Sequence, residues 1–153
     1  MISDLARLYE RDLNKVIEEL ELYPDEAAIW TVQPGIANPA GNLALHLVGN
    51  LRLFVGLNLG GIAYVRDRPA EFARKDVPRS ELVAALQTTA QGIQQTLAKL
   101  DEDALNQAYP AAVAGFPADM TTAAFLMHLY GHLNWHLGQI DYHRRLLFPQ
   151  HQG

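Results

Sequence analysis

The sequence predicts an all-α protein, a single domain over residues 1–153 folded as a four-helix bundle, and three observations carry that prediction. Four long segments repeat their apolar residues at three- and four-residue steps, the spacing that lines one face of a helix. No stretch alternates with the two-residue period of a half-buried strand. The breaks between segments are dense in proline, glycine and asparagine. Four amphipathic helices in one domain bury their apolar stripes most simply against one another.

The first helix runs from Ser3 to Leu22. Leu5, Leu8, Tyr9, Leu13, Val16, Ile17 and Leu20 fall on one side, and Arg7, Glu10, Arg11, Lys15, Glu18 and Glu19 on the other. Tyr23-Pro24 ends it, and the segment through Pro34-Gly35 reads as a loop from which Trp30 folds back as a core plug. Asn38-Pro39 predicts the next start, with Asn as the cap and Pro at the first helical position, where its missing N–H costs nothing. This second helix carries Leu43, Leu45, Leu47, Leu51, Leu53, Phe54 and Leu57 and ends near Gly60-Gly61. It is apolar around much of its circumference, as a helix with several neighbours should be. Residues 62 to 79, with RDRPAEFARKDVP, read as an exposed connection holding one helical turn from Ala70 to Arg74. A third helix follows Ser80, and residues 101 to 120 form a loop. The last helix covers Phe125 to Leu147, is capped by Asp119, Thr121 or Thr122, and is stopped by Pro149.

The chemistry concentrates in the histidines. Residues four apart share a helix face, so His132 and His136 have a metal-ligand spacing. His128 extends the ladder, but three histidines so spaced span about 12 Å at ~1.5 Å per residue, too far for one ion. The third ligand must then come from elsewhere, and only His46 lies in another long apolar segment. Each imidazole alone also fits a hydrogen-bonded core residue; the three together point to a site. Three imidazoles on facing helices leave coordination positions open, the form of a catalytic rather than a structural zinc site.

The remaining residues have alternative readings. His128 is either a proton carrier beside the ion or a satisfied buried histidine, and His143 and His151 read as solvent-facing. Gln139 and Asn50, one turn from His136 and His46, are either hydrogen-bond partners of those rings or helix-packing amides. Tyr130, Trp135 and Tyr142 read as core or interface aromatics. The second helix has no acidic residue and the last only Asp141, which excludes a dinuclear carboxylate centre.

Composition narrows the function classes. With no cysteine among 153 residues, disulfides, thiolate metal sites and a cysteine nucleophile are excluded, and the chain suits a cytoplasmic location. A net charge of -5 without a basic run argues against nucleic acid as a partner. The tract from Asn42 to Val65, interrupted by His46, Asn50, Arg52, Asn58 and a Gly-Gly pair, reads as too polar to span a membrane, and no signal peptide is expected.

Three ordered pieces carry a family resemblance: Asn42-Leu43-Ala44-Leu45-His46-Leu47 with Gly49-Asn50-Leu51-Arg52, then Arg66-Asp67-Arg68-Pro69-Ala70-Glu71-Phe72, then His132-x-x-x-His136-x-Gly138-Gln139-Ile140. With them the sequence resembles the DinB-like superfamily of bacterial four-helix proteins. The resemblance implies an up-down-down-up helix order and one divalent metal, typically zinc or nickel, on His46, His132 and His136. Where relatives often place arginine this chain has Leu137, so any anion-binding role of that position is not carried over. The superfamily includes transferases that use bacillithiol or mycothiol. The expected function is therefore a metal-dependent S-transferase or hydrolase acting on a small molecule, with a low-molecular-weight thiol such as bacillithiol as cosubstrate. The lack of an acidic residue placed near the histidines favours the thiol version, since a metal-bound thiolate needs no separate base. The alternative is a non-catalytic helical stress or interaction protein whose metal is structural, adventitious or absent. A homodimer is expected under both, through a face the sequence does not locate.

Overall fold

The computed structural model describes residues 1–149. Its long helices are α1 (Ile2–Leu22), α2 (Ala40–Leu51), α4 (Arg79–Lys99) and α6 (Thr122–Leu147), with the short helices α3 (Arg68–Ala73) and α5 (Glu102–Asn106) between them. No strand occurs among the described residues; Ala108 and Thr121 make one isolated bridge. The chain is thus an all-α bundle.

Both α1 and α2 pack against both α4 and α6, and side-chain contacts give the directions. Tyr9 Oη in the first half of α1 donates to Leu126 O, and Tyr23 Oη, just beyond the last residue of α1, lies 3.3 Å from Ile140 O, so α1 and α6 run the same way. Gln94 Nε2 donates to Ala6 O while Arg79 Nη1 reaches Glu21 O, so α4 runs against α1. His46 meets His136 and Phe54 meets Phe125, so α2 runs against α6. Leu13, Val16 and Leu20 of α1, Leu47 and Leu51 of α2, Leu86, Ile93 and Leu97 of α4, and Leu126 and Leu133 of α6 are buried between the four. At ~1.5–3 kcal/mol for each fully buried aliphatic side chain, these positions dominate the stability of the bundle.

The connections are more ordered than the sequence suggests. Trp30 ends a 3-10 helix (Glu26–Trp30) and does plug the core, its ring lying where a Cβ on Gly41 would stand, 2.6 Å away. Asn38 does not cap α2. Pro39 takes the cap position itself, its carbonyl accepting from Leu43 N at 3.2 Å. Past Leu51 the helix continues with π geometry over Arg52–Leu57, and Asn58 N and Gly60 N reach back five residues to Leu53 O and Val55 O. Ala40–Leu57 is long and apolar enough to cross a membrane by length and mean hydropathy, contrary to the expectation that this tract is too polar, and 72% of it is buried inside the protein. Contact with neighbouring helices accounts for its apolar character.

Residues 62 to 79 are not merely an exposed charged connection. Asp67 caps α3 by accepting from Ala70 N at 3.1 Å, with Pro69 in the first turn. Asn42 of α2, fully buried, donates from Nδ2 to Glu71 O and Arg74 O at 2.9 Å each, fastening α3 to the bundle. Glu71 turns inward and Arg66 pairs with it there, while Asp67, Arg68, Arg74, Lys75 and Asp76 stay exposed. In the 101–120 connection Asp101 caps α5, and Thr121, one of the three candidate caps, serves α6 by accepting from Ala124 N.

Candidate metal centre

The antiparallel contact of α2 and α6 sets His46 against the His132–His136 face. The Nε2 atoms of His46 and His132 are 3.1 Å apart, as are those of His136 and His132. One ligand nitrogen from each histidine lies within 4.8 Å of the other two. Nitrogens ~2.0–2.1 Å from a common ion stand roughly 2.8–3.4 Å apart for bond angles between a right angle and the tetrahedral value. The two short separations are those of ligands around one cation.

The rings are held from behind. His46 Nδ1 donates to Glu71 Oε1 at 3.0 Å, and the same carboxylate accepts from Arg66 Nε and Nη2 at 2.9 and 3.0 Å. Gly49, one turn along from His46, makes room: a Cβ there would stand 1.8 Å from Glu71 Oε2. His136 Nδ1 donates to Gln139 Oε1 at 2.7 Å. With both Nδ1 protons engaged, each neutral ring presents its Nε2 lone pair to His132. Nδ1 of His132 is buried and has no hydrogen-bond partner.

Charge reinforces this. Burial, then the facing rings of His136 and His46, hold His132 down at about 4, and burial outweighs the Gln139 hydrogen bond to lower His136 as well. Burial alone would raise Glu71, but hydrogen bonds from His46 and Arg66 and the guanidinium charge pull it below the usual carboxylate range. At neutral pH the site is thus two imidazoles kept unprotonated beside an anion committed to the third. A neutral His132 has one proton to offer two facing lone pairs, and spending it on Nε2 leaves at least one pair opposed. A cation shared by three nitrogens removes that conflict, so the donor set fits a bound metal.

Residues 8–140 match the family model of the DinB superfamily. The chain belongs to that superfamily. No curated protein matched it in the comparison. Membership and the three-histidine cluster together fit a metal-binding helical protein.

Several sequence expectations for this DinB-superfamily chain need correction. Asn50 is not the partner of His46; its Oδ1 is buried without a hydrogen bond, and Glu71 holds the ring instead. The expected lack of a nearby carboxylate is overturned by the same contact, because a residue 25 positions along the chain is folded back onto α2. Gln139 does hold His136. His128 is exposed rather than buried and stands outside the trio, its ring centroid 4.7 Å from that of Phe116. His143 does not face solvent: it is buried, with Nδ1 on Tyr23 Oη at 2.5 Å and Nε2 on Thr31 O at 2.8 Å. His151 lies outside the described residues. Sequence reasoning gave no role to Glu71, Arg66 or Gly49, although all three stand in the pieces that carry the family resemblance.

A cavity of about 400 Å³ opens beside His136. Gln139, Tyr142, His143 and Leu146 of α6 line it, with Leu43 of α2 and the backbone turn Gly35–Asn38. No Asp, Glu, Lys or Arg is among its lining residues. A second cavity of similar size, formed within residues 108–120, touches none of the three histidines.

Proposed function

We propose that this protein is a metal-dependent enzyme in which His46, His132 and His136 hold one divalent ion, zinc or nickel, and which transfers a low-molecular-weight thiol such as bacillithiol to a small electrophile. The convergence of three Nε2 atoms, two of whose separations are 3.1 Å, carries this reading. Three protein ligands leave positions open to a substrate, as in catalytic sites. When bound, the ion supplies a Lewis acid that lowers the pKa of a thiol or water brought to it.

The chain's own residues do the rest. Glu71, clamped by Arg66, and Gln139 fix which nitrogen of His46 and His136 carries the proton. Glu71 is thereby committed and cannot also accept a proton from substrate, which favours a nucleophile that needs no separate base over hydrolysis. The chain has no cysteine, so the sulfur must arrive as cosubstrate. The cavity beside His136, with no Lys or Arg in its lining to pair with an anion, suits the uncharged body of an electrophile. His128, exposed one turn before His132, is the proposed route by which the thiol's proton reaches solvent.

Elemental analysis of the untagged protein tests this beside the His46→Ala variant, followed by thiol consumption with an uncharged aromatic electrophile. About one ion per chain in the wild type and almost none in the variant, with metal-dependent thiol loss, is the expected result. No metal in either, even after incubation with zinc and nickel, would leave a non-catalytic helical interaction protein as the better reading, one the exposed apolar face of α6 independently favours.

A further inference from the structure

The outer face of α6 is unlike a solvated helix surface. Met127, Trp135, Tyr142 and Leu146 are 55%, 69%, 70% and 60% exposed, and they make up half of the large exposed hydrophobic residues among those described. None of the exposed residues of α6 is an Asp, Glu, Lys or Arg, whereas the exposed side of α1 is mostly charged. Two glycines, Gly131 and Gly138, lie in the same stripe. A Cβ at either would meet nothing within 4 Å, so no packing inside this chain requires them. Glycine inside a helix is destabilising relative to alanine, and a common reason to keep it is the close approach of another surface.

The order of large and small residues along the stripe is self-complementary. Turn a second α6 antiparallel about a two-fold axis passing between His136 and Leu137. Trp135 then faces the partner's Gly138, Tyr142 faces the partner's Gly131, and Met127 faces the partner's Leu146. Each aromatic ring meets a glycine hollow, and every contact occurs twice, as an isologous interface demands. A buried aromatic side chain covers roughly 150–250 Å². The four exposed side chains thus bring on the order of 500 Å² per protomer, and the pair reaches the roughly 1,000 Å² needed for a stable interface.

We propose that a second copy of this chain docks on the outer face of α6, antiparallel, with Trp135 and Tyr142 seated on Gly138 and Gly131 of its partner. Because Tyr142 and Leu146 also line the cavity beside His136, the partner's Met127 closes the outer side of that cavity. The proposal does not rest on the metal.

Two measurements on the full chain test it. Light scattering after gel filtration should give about twice the 17.0 kDa chain mass for the wild type. Gly138→Leu should give the monomer mass with unchanged helicity, because leucine is the better helix former and has open space in the monomer. The register is tested by cysteines, of which the wild type has none. Gly131→Cys and Tyr142→Cys should form a disulfide-linked dimer under mild oxidation only when the two variants are mixed. Within a homodimer of either variant, the two cysteines are ~16 Å apart along the axis at ~1.5 Å per residue, beyond disulfide reach. A wild type that stays monomeric at tens of micromolar, a Gly138→Leu variant that remains dimeric, or no cross-link in the mixture would each overturn the proposal.

Discussion

Two histidine environments on α6 differ in one respect that decides their roles. His143 is buried, and both of its nitrogens have complementary partners: Nδ1 accepts from Tyr23 Oη, and Nε2–H donates to Thr31 O. Its ring is finished business, a structural strut tying α6 to the end of α1 and the loop beyond it. His132 is less buried, yet its Nδ1 has no partner and its Nε2 faces two other imidazole nitrogens. Burial lowers both groups, so depth does not distinguish them. What does is the balance of donors and acceptors, which closes at His143 and carries surplus lone pairs at His132.

The largest effects should come from removing one ring from each environment. His132→Ala should abolish stoichiometric metal while the metal-free bundle keeps its helicity. His143→Ala should keep its metal but lose about 2–4 kcal/mol of stability, from the cavity and the stranded Tyr23 hydroxyl and Thr31 carbonyl. Metal analysis and thermal melts on the pair read both outcomes, and a reversal of the two phenotypes would break the comparison.

Next in size is the support behind His46. Glu71→Gln keeps the shape but removes the negative charge that Arg66 and His46 share, and should weaken metal binding ~10–100-fold. Competition against a chromophoric chelator measures it; an unchanged affinity would show that the carboxylate only packs.

The smallest effect is a pH dependence of the metal-free protein. His132 titrates at about 4 when folded and near ~6.5 in an unfolded chain. Between those values the unfolded state takes up a proton that the folded state refuses, so stability present above about 6.5 is lost as pH falls toward 4. The urea midpoint should fall across that window, and less so in His132→Ala. Equal slopes in the two proteins would place the titration elsewhere.

The four long helices and the His46, His132 and His136 grouping were legible because they depend on period. Apolar spacing fixes which face is buried, and a four-residue step puts two histidines on one side of a helix whatever surrounds them. Glu71 and Arg66 were not legible as site residues. They lie in a charged, proline-containing segment that reads as a surface linker, and only the fastening of α3 by Asn42 carries them to the back of His46. The burial of His143 was missed for a similar reason: its partners, Tyr23 and Thr31, lie more than 110 positions away.

The sequence by itself therefore determined the helical class, the bundle and the residues able to meet at a metal, because these follow from local periodicity and composition. The tertiary structure alone decided which nitrogen each ring offers, which imidazole is satisfied and which is left wanting. Hydrogen-bond partners far apart in the chain set proton positions, and no local pattern records them.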